Sequence, residues 1–178
     1  MKTGLTILGV VVILLVVMVM MRPRFLWFIE GVIATLHPVE AIEWREFKER
    51  MAEDDSSHYI LFDVREREEF EVSHLAAAIH VEPATTQQEF LDRFQDDIKN
   101  KHLIFYCSVG YRSSRLLEEV KPEALRRGAI SANNLRGGIF RWFNEDNVVV
   151  DAHGVANAVH PYDRVWSFLV RKRVSREN

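Results

Sequence analysis

The chemistry this chain could perform centres on its single cysteine, Cys107, and on Arg112 five positions later. Cys107 closes the apolar run Leu103-Ile104-Phe105-Tyr106, and Ser108-Val109-Gly110-Tyr111 follow before the arginine. A short apolar run bounded by turn signals reads as a buried strand. A helical pattern then extends from Ser113 to about Arg127. Strand, tight loop and helix aim backbone N–H groups at one point, where the positive end of the helix dipole favours an anion. If that anion is the Cys107 sulfur, the thiolate is favoured over the thiol. Arg112 adds a fixed charge and a hydrogen-bonding fork, and Gly110 permits the tight turn. Many lone cysteines are only buried apolar filler. Cys107 sits after the strand with small or polar residues behind it, which points instead to a reactive thiolate.

The elements that must position this thiolate alternate. Val39–Ile42 reads as a short first strand, and Trp44, Phe47 and Met51 mark an amphipathic helix over Glu43–Ala52. Tyr59–Phe62 is a second buried strand ending at Asp63-Val64-Arg65, followed by a short charged helix from Glu66 to Val72. Ala77–Val81 suggests a third strand, and Thr86 can cap a helix reaching Ile98 with Phe90, Leu91 and Phe94 on its inner face. After the Cys107 unit, Ala132–Leu135 reads as a last short strand, Gly137-Gly138 as a turn and Ile139–Phe143 as a short helix. This alternation predicts an α/β fold with a mainly parallel sheet and helices on both faces. Such sheets bind ligands at the C-terminal ends of their strands, where Asp63, Arg65 and Cys107 all fall.

The whole chain has 178 residues, a net charge of −3 and 48% hydrophobic residues, enough for one domain with appendages. One cysteine excludes an intramolecular disulfide and any resolving partner. The seven histidines are scattered without metal-ligand spacing, so no metal site is expected. Residues 38–150 hold 15 Lys and Arg against 22 Asp and Glu, an acidic body between basic flanks. That pattern gives no support to nucleic-acid binding.

Gly4 to Met21 is an uncharged apolar run of 18 residues closed by Arg22-Pro23-Arg24, the length of a membrane-spanning helix. No small-x-small cleavage pattern follows it, so an uncleaved single-pass anchor is expected rather than a signal peptide. Residues 25–37 read as an interfacial linker with Trp27 at headgroup level. The expected organisation is therefore an anchor with its basic flank (1–24), the linker (25–37), the catalytic domain (38–150) and a C-terminal extension with a basic tail (151–178). Arg171-Lys172-Arg173 and Arg176 could face an anionic cytoplasmic leaflet, so the domain is placed on the cytoplasmic side. Val148–Val150 reads as an edge strand. Trp166 and Phe168 pack on the body, return to the membrane, or belong to a tail that closes over the pocket.

Three stretches resemble the rhodanese family. Asp63-Val64-Arg65-Glu66 with Glu69-Phe70, Ser73-His74-Leu75 and Ala78-Ile79 looks like its first signature. Tyr106 to Ser113 looks like its active-site loop, and Leu135-Arg136-Gly137-Gly138 with Trp142 like its C-terminal pattern. The resemblance covers about residues 38–146. Ser73-His74-Leu75 stands for the usual Gly-His-Ile, and Ala76-Ala77 for a Pro-Gly turn. It implies a persulfide-forming Cys107 whose sulfur anion is cradled by the backbone of Ser108, Val109, Gly110, Tyr111 and Arg112. Arg112 would hold an anionic donor near the mouth. Arg65 is either a second donor-binding residue or a structural one. Asp63 and Ser113 support the loops. No cofactor is implied. The expected activity is sulfur transfer from thiosulfate or a persulfide to a thiol, to cyanide or to a protein acceptor. A non-catalytic binding module and a redox sensor are the alternatives. A phosphatase or arsenate reductase ranks lower, because four residues separate Cys107 from Arg112 where those phosphatases have five.

Overall fold

The computed structural model describes residues 24–53 and 56–173. The apolar run 4–21, expected to span a membrane, lies outside the described residues, as does the end of the basic tail. Among the described residues no helix is long and apolar enough to cross a membrane.

Strands β1 (Ala41–Ile42), β2 (Tyr59–Asp63), β3 (Ile79–His80), β4 (His102–Tyr106) and β5 (Ser131–Leu135) form one sheet in the order β1-β5-β4-β2-β3. Every pairing is parallel. β4, which leads into Cys107, is the central strand, with Phe105 opposite Phe62 on one side and Asn134 on the other. Side chains alternate across a strand. Leu103 and Phe105 therefore enter one core with Phe62, Phe90, Leu117 and Val120, while Ile104 and Tyr106 enter the other with Leu61, Phe47, Ile139 and Phe143.

Helices cover both faces, as the alternating pattern predicts. Residues 24–36 are helical (α1). α2 (Trp44–Glu53), α3 (Arg67–Val72), α4 (Gln87–Phe94), α5 (Tyr111–Arg126) and α6 (Gly138–Asn144) follow. α4 and α5 fill one face; α1, α2 and α6 build the other. Thr86 caps α4 as expected, its hydroxyl accepting from Glu89 N–H while Glu89 accepts from Thr86 N–H. Such a reciprocal cap contributes about 1 kcal/mol.

Two appendages take shapes that the sequence leaves open. The segment read as an interfacial linker is a helix with one face docked on the domain. Leu26 and Ile33 are buried in the core, and Glu30 forms a two-pronged ion pair with Arg141 at 2.6 and 2.8 Å. Its outer face shows Trp27, Phe28, Val32 and Leu36. The expected edge strand near residue 150 does not join the main sheet. β6 (Val149–Asp151) turns back on β7 (Gly154–Ala156) as an antiparallel hairpin. A bridge from Val150 to His74 ties that hairpin to the segment after α3. The chain then returns over the domain through a short 3-10 turn, Trp166–Leu169. Leu169 is buried, and Trp166 and Phe168 pack against the same core as α1. The Phe168 ring lies 5.4 Å from that of Phe25.

Candidate active site

The site begins where β4 ends. Cys107 is 1% exposed and lies at the floor of a cavity of about 230 Å³, walled by Ser108, Val109, Tyr111, Arg112, Tyr162 and Trp166. Its Sγ accepts a hydrogen bond from Gly110 N–H at 3.2 Å. Gly110 has φ +108 and provides no side-chain cap for α5. The first N–H to find a helical acceptor is that of Ser114, on the Gly110 carbonyl. The N–H groups of Tyr111, Arg112 and Ser113 lie ahead of it, in the first turn, where a helix offers them no acceptor. A helix start left open in this way favours an anion.

The loop is held from behind by α6. Ile139 N–H donates to the Cys107 carbonyl at 2.9 Å and Phe140 N–H to the Ser108 carbonyl at 3.1 Å. In a trans peptide the N–H points opposite the C=O, so the N–H groups of Ser108 and Val109 point away from α6. Gly138 makes this close approach possible. It adopts φ +55, and a Cβ there would overlap the Cys107 carbonyl oxygen. From the sheet, Asn134 fixes the other end of the loop. Its Nδ2 donates to Ser114 Oγ at 2.9 Å and to the Gly110 carbonyl at 3.3 Å, and its Oδ1 accepts from Ser113 Oγ at 2.7 Å. Ser113 is thus bonded to the strand behind the loop.

Arg112 does line the cavity, but its fork is engaged. Nη1 and Nη2 donate to the two carboxylate oxygens of Glu69 at 2.6 and 2.9 Å, and Nη2 also donates to Ser108 Oγ at 2.9 Å. The Ser108 hydroxyl donates in turn to Glu69 at 2.8 Å. Burial opposes the charge on Arg112, yet its hydrogen bonds to Glu69 and the nearby Cys107 raise its pKa above the ordinary guanidinium value. Burial likewise pushes the Glu69 carboxyl up. The hydrogen bonds and charge of Arg112 outweigh it and hold Glu69 below the usual carboxylate range. The planar fork of Arg112, expected to hold a donor, thus already holds a carboxylate at the cavity wall.

Arg65 is not part of the cavity. It is 0% exposed. Its Nε and Nη2 donate to the two oxygens of Asp63 at 2.8 and 2.6 Å, and Nη2 reaches the Ser73 carbonyl at 2.6 Å. The donor-binding reading of Arg65 is therefore replaced by the structural one, with Asp63 as its partner. Together they tie the end of β2 to the segment after α3. Tyr106 belongs to the same layer, its hydroxyl accepting from Leu75 N–H at 3.0 Å.

Glu69 and Asn134 are parts of the site that the sequence reading does not include, while Tyr162 and Trp166 come from the tail for which closure over the pocket is one of three readings. Glu69 stands three residues after Glu66, a capping-box spacing, and that box is formed around α3. The cap was the available signal, though it does not reveal the pairing with Arg112. Among the described residues no cluster of His, Cys, Asp and Glu could hold a metal ion.

A parallel sheet carrying a cysteine at the end of its central strand, above an open helix start, defines a Cys-loop domain of the α/β class. Residues 43–145 match the rhodanese-like domain, and the chain belongs to that family. A probable molybdopterin-synthase adenylyltransferase from Porphyra purpurea is 28% identical over 108 residues, 61% of this chain and 26% of that protein. The chain thus spans about a quarter of the length of that relative. A rhodanese-related protein from Thermoplasma volcanium is similar in structure, with 22% identity and a TM-score of 0.47 over 62% of this chain and 97% of its own. An As-Sb reductase from Leishmania major shares the fold, with 16% identity and a TM-score of 0.51 over 60% of this chain and 78% of its own.

Proposed function

We propose that this chain is a membrane-anchored sulfurtransferase that carries a sulfane sulfur on Cys107. The supporting observation is the hydrogen bond from Gly110 N–H to Cys107 Sγ at the uncapped start of α5. In the first half-reaction the Cys107 thiolate attacks the sulfane sulfur of a donor. The donor's bond to that sulfur breaks, the leaving group departs with the electron pair, and Cys107–S–S⁻ forms. In the second, an acceptor thiolate or cyanide attacks the outer sulfur and Cys107 leaves as thiolate. On the enzyme the negative charge stays on sulfur throughout, and the loop and first-turn N–H groups stabilise it without rearrangement. With no second cysteine in the chain, the acceptor is external: a small thiol, cyanide or a protein. The uncharged run 4–21 supports the anchor, and the basic flanks support placing the domain on the cytoplasmic side. Hydrolysis or reduction of an oxyanion has less support, because the loop is short and Glu69 occupies both prongs of Arg112.

The test is the intact mass of the full-length protein after incubation with thiosulfate or an organic thiosulfonate. A gain of one sulfur, about 32 Da, removed by cyanide and absent from Cys107→Ser, is the expected result for a persulfide on a reactive thiolate. No adduct from any sulfane donor on folded protein would leave a binding or redox-sensing role for the same cysteine.

A further inference from the structure

Resting on the sulfur-transfer reading, we propose that the Cys107 cavity selects monoanionic sulfane donors with an aromatic or apolar body over the small dianion thiosulfate.

Arg112 is the only cation lining the cavity among the described residues. Two carboxylates face it, Glu69 at 2.6 Å and Glu66 at 3.8 Å. In the form that attacks a donor, Cys107 adds another negative charge. The side chains around the mouth thus carry net negative charge before any donor enters, beside the loop and first-turn N–H groups that receive the sulfur anion. A dianion brought into a half-enclosed site meets that field with no free fork to receive it, and like charges brought together at close range are strongly penalised. A monoanion meets half as much repulsion.

The wall is aromatic. The rings of Tyr111, Tyr162 and Trp166 border the cavity, and the first two are substantially exposed. Tyr162 is held there at a cost, since its backbone adopts φ +70, a region that bulky residues avoid. Its ring covers the guanidinium of Arg112 at 5.1 Å. Asp163 secures the following turn by accepting from Val165 N–H at 2.7 Å and Trp166 N–H at 3.0 Å. Apolar walls with few polar groups suit organic ligands, and an inorganic anion leaves the rings uncovered.

Organic thiosulfonates separate the two effects. The Cys107 thiolate attacks the terminal sulfur of R–SO₂–S⁻, the S–S bond breaks, the sulfinate R–SO₂⁻ leaves with the electron pair, and Cys107–S–S⁻ forms. With thiosulfate the leaving group is sulfite. No proton moves and total charge is conserved in each case. Full-length protein is assayed with thiosulfate, methanethiosulfonate and benzenethiosulfonate, with cyanide as acceptor. Each kcat/KM is divided by the rate at which the same donor sulfurates a free small thiolate. The normalised values should rise in that order, with benzenethiosulfonate at least about tenfold above thiosulfate. Glu66→Gln should narrow the gap between thiosulfate and methanethiosulfonate several-fold. Tyr162→Ala or Trp166→Ala should narrow the gap between the two thiosulfonates. Folding of each variant is checked by circular dichroism. Normalised values within about twofold, a preference for thiosulfate, or ratios that no variant moves would overturn the selectivity while leaving sulfur transfer standing. Failure of all three donors on folded protein would overturn sulfur transfer itself, and the selectivity with it.

Discussion

Arg112 and Glu69 meet as a fork on a fork, 2.6 and 2.9 Å between paired atoms, with the Ser108 hydroxyl bonded to both partners. The pair locks the start of α5 to α3 directly beside Cys107. Removing the carboxylate leaves a largely buried guanidinium without its counter-charge. Glu69→Gln should therefore lose about 2–3 kcal/mol of stability in urea denaturation, and it should raise the use of thiosulfate relative to organic donors. A variant as stable as wild type would show that the pair is not holding the loop.

Two buried carboxyls give the chain opposite acid responses. Glu69 is held below the usual range, so as pH falls below about 4.5 the unfolded chain takes up a proton first and its share of the stability is lost. Glu30 is raised, because burial outweighs the compensation from Arg141. Its folded form takes up the proton first, so its share is present at acid pH and is lost as pH rises above about 4.5 through its folded value. Between pH 7 and pH 4, the urea midpoint of Glu69→Gln should fall less steeply than that of wild type, and that of Glu30→Gln more steeply. Parallel curves for all three would refute both assignments.

Gly138 is the tightest contact behind the site. Its φ of +55 and the overlap of any Cβ with the Cys107 carbonyl leave no room for alanine. Gly138→Ala should cost roughly 3 kcal/mol or more. Where the protein still folds, the displaced loop should slow persulfide formation by more than about tenfold. Intact mass against time, beside a thermal melt, measures both. A variant with wild-type rate and stability would mean that α6 does not position the loop.

Ala77 occupies φ +60 in the turn closed by Ala78 N–H on the Leu75 carbonyl. Glycine takes that conformation without steric cost but loses more freedom on folding. Ala77→Gly should accordingly raise stability by about 0.5–1 kcal/mol, read as a higher urea midpoint at unchanged slope. A lower midpoint would show that the side chain contributes packing worth more than the strain.

Much of this architecture is legible in the chain. Cys107, its strand, its loop and α5 follow from a local pattern, since apolar run, small residues and helical period are adjacent in sequence. The Thr86 cap is equally local. What escaped reading depends on distant partners. Arg65 and Arg112 look alike as arginines beside strand ends, and only the fold shows one sealed under Ser73 and the other opened to the cavity. Glu69 is one of three glutamates in α3, and nothing local marks it as the one that turns inward. The region after residue 150 has no amphipathic period to follow. Its course is set by isolated anchors, Leu169 in the core and Ser73 Oγ on the Ala158 carbonyl at 2.7 Å.

The placement of β4 at the centre of the sheet has a consequence in time. Amides of a central parallel strand, bonded on both sides, exchange with solvent only in the rarest openings of a domain, whereas segments held by a few isolated contacts open often. Cys107 hangs from the first kind of backbone; Tyr162 and Trp166 hang from the second. The sulfur that reacts is therefore carried beside the kind of strand that opens least, and the rings that would choose its donor on the kind of segment that opens more often. Substitutions in the returning chain can re-tune what enters the cavity while the reacting atom keeps its place.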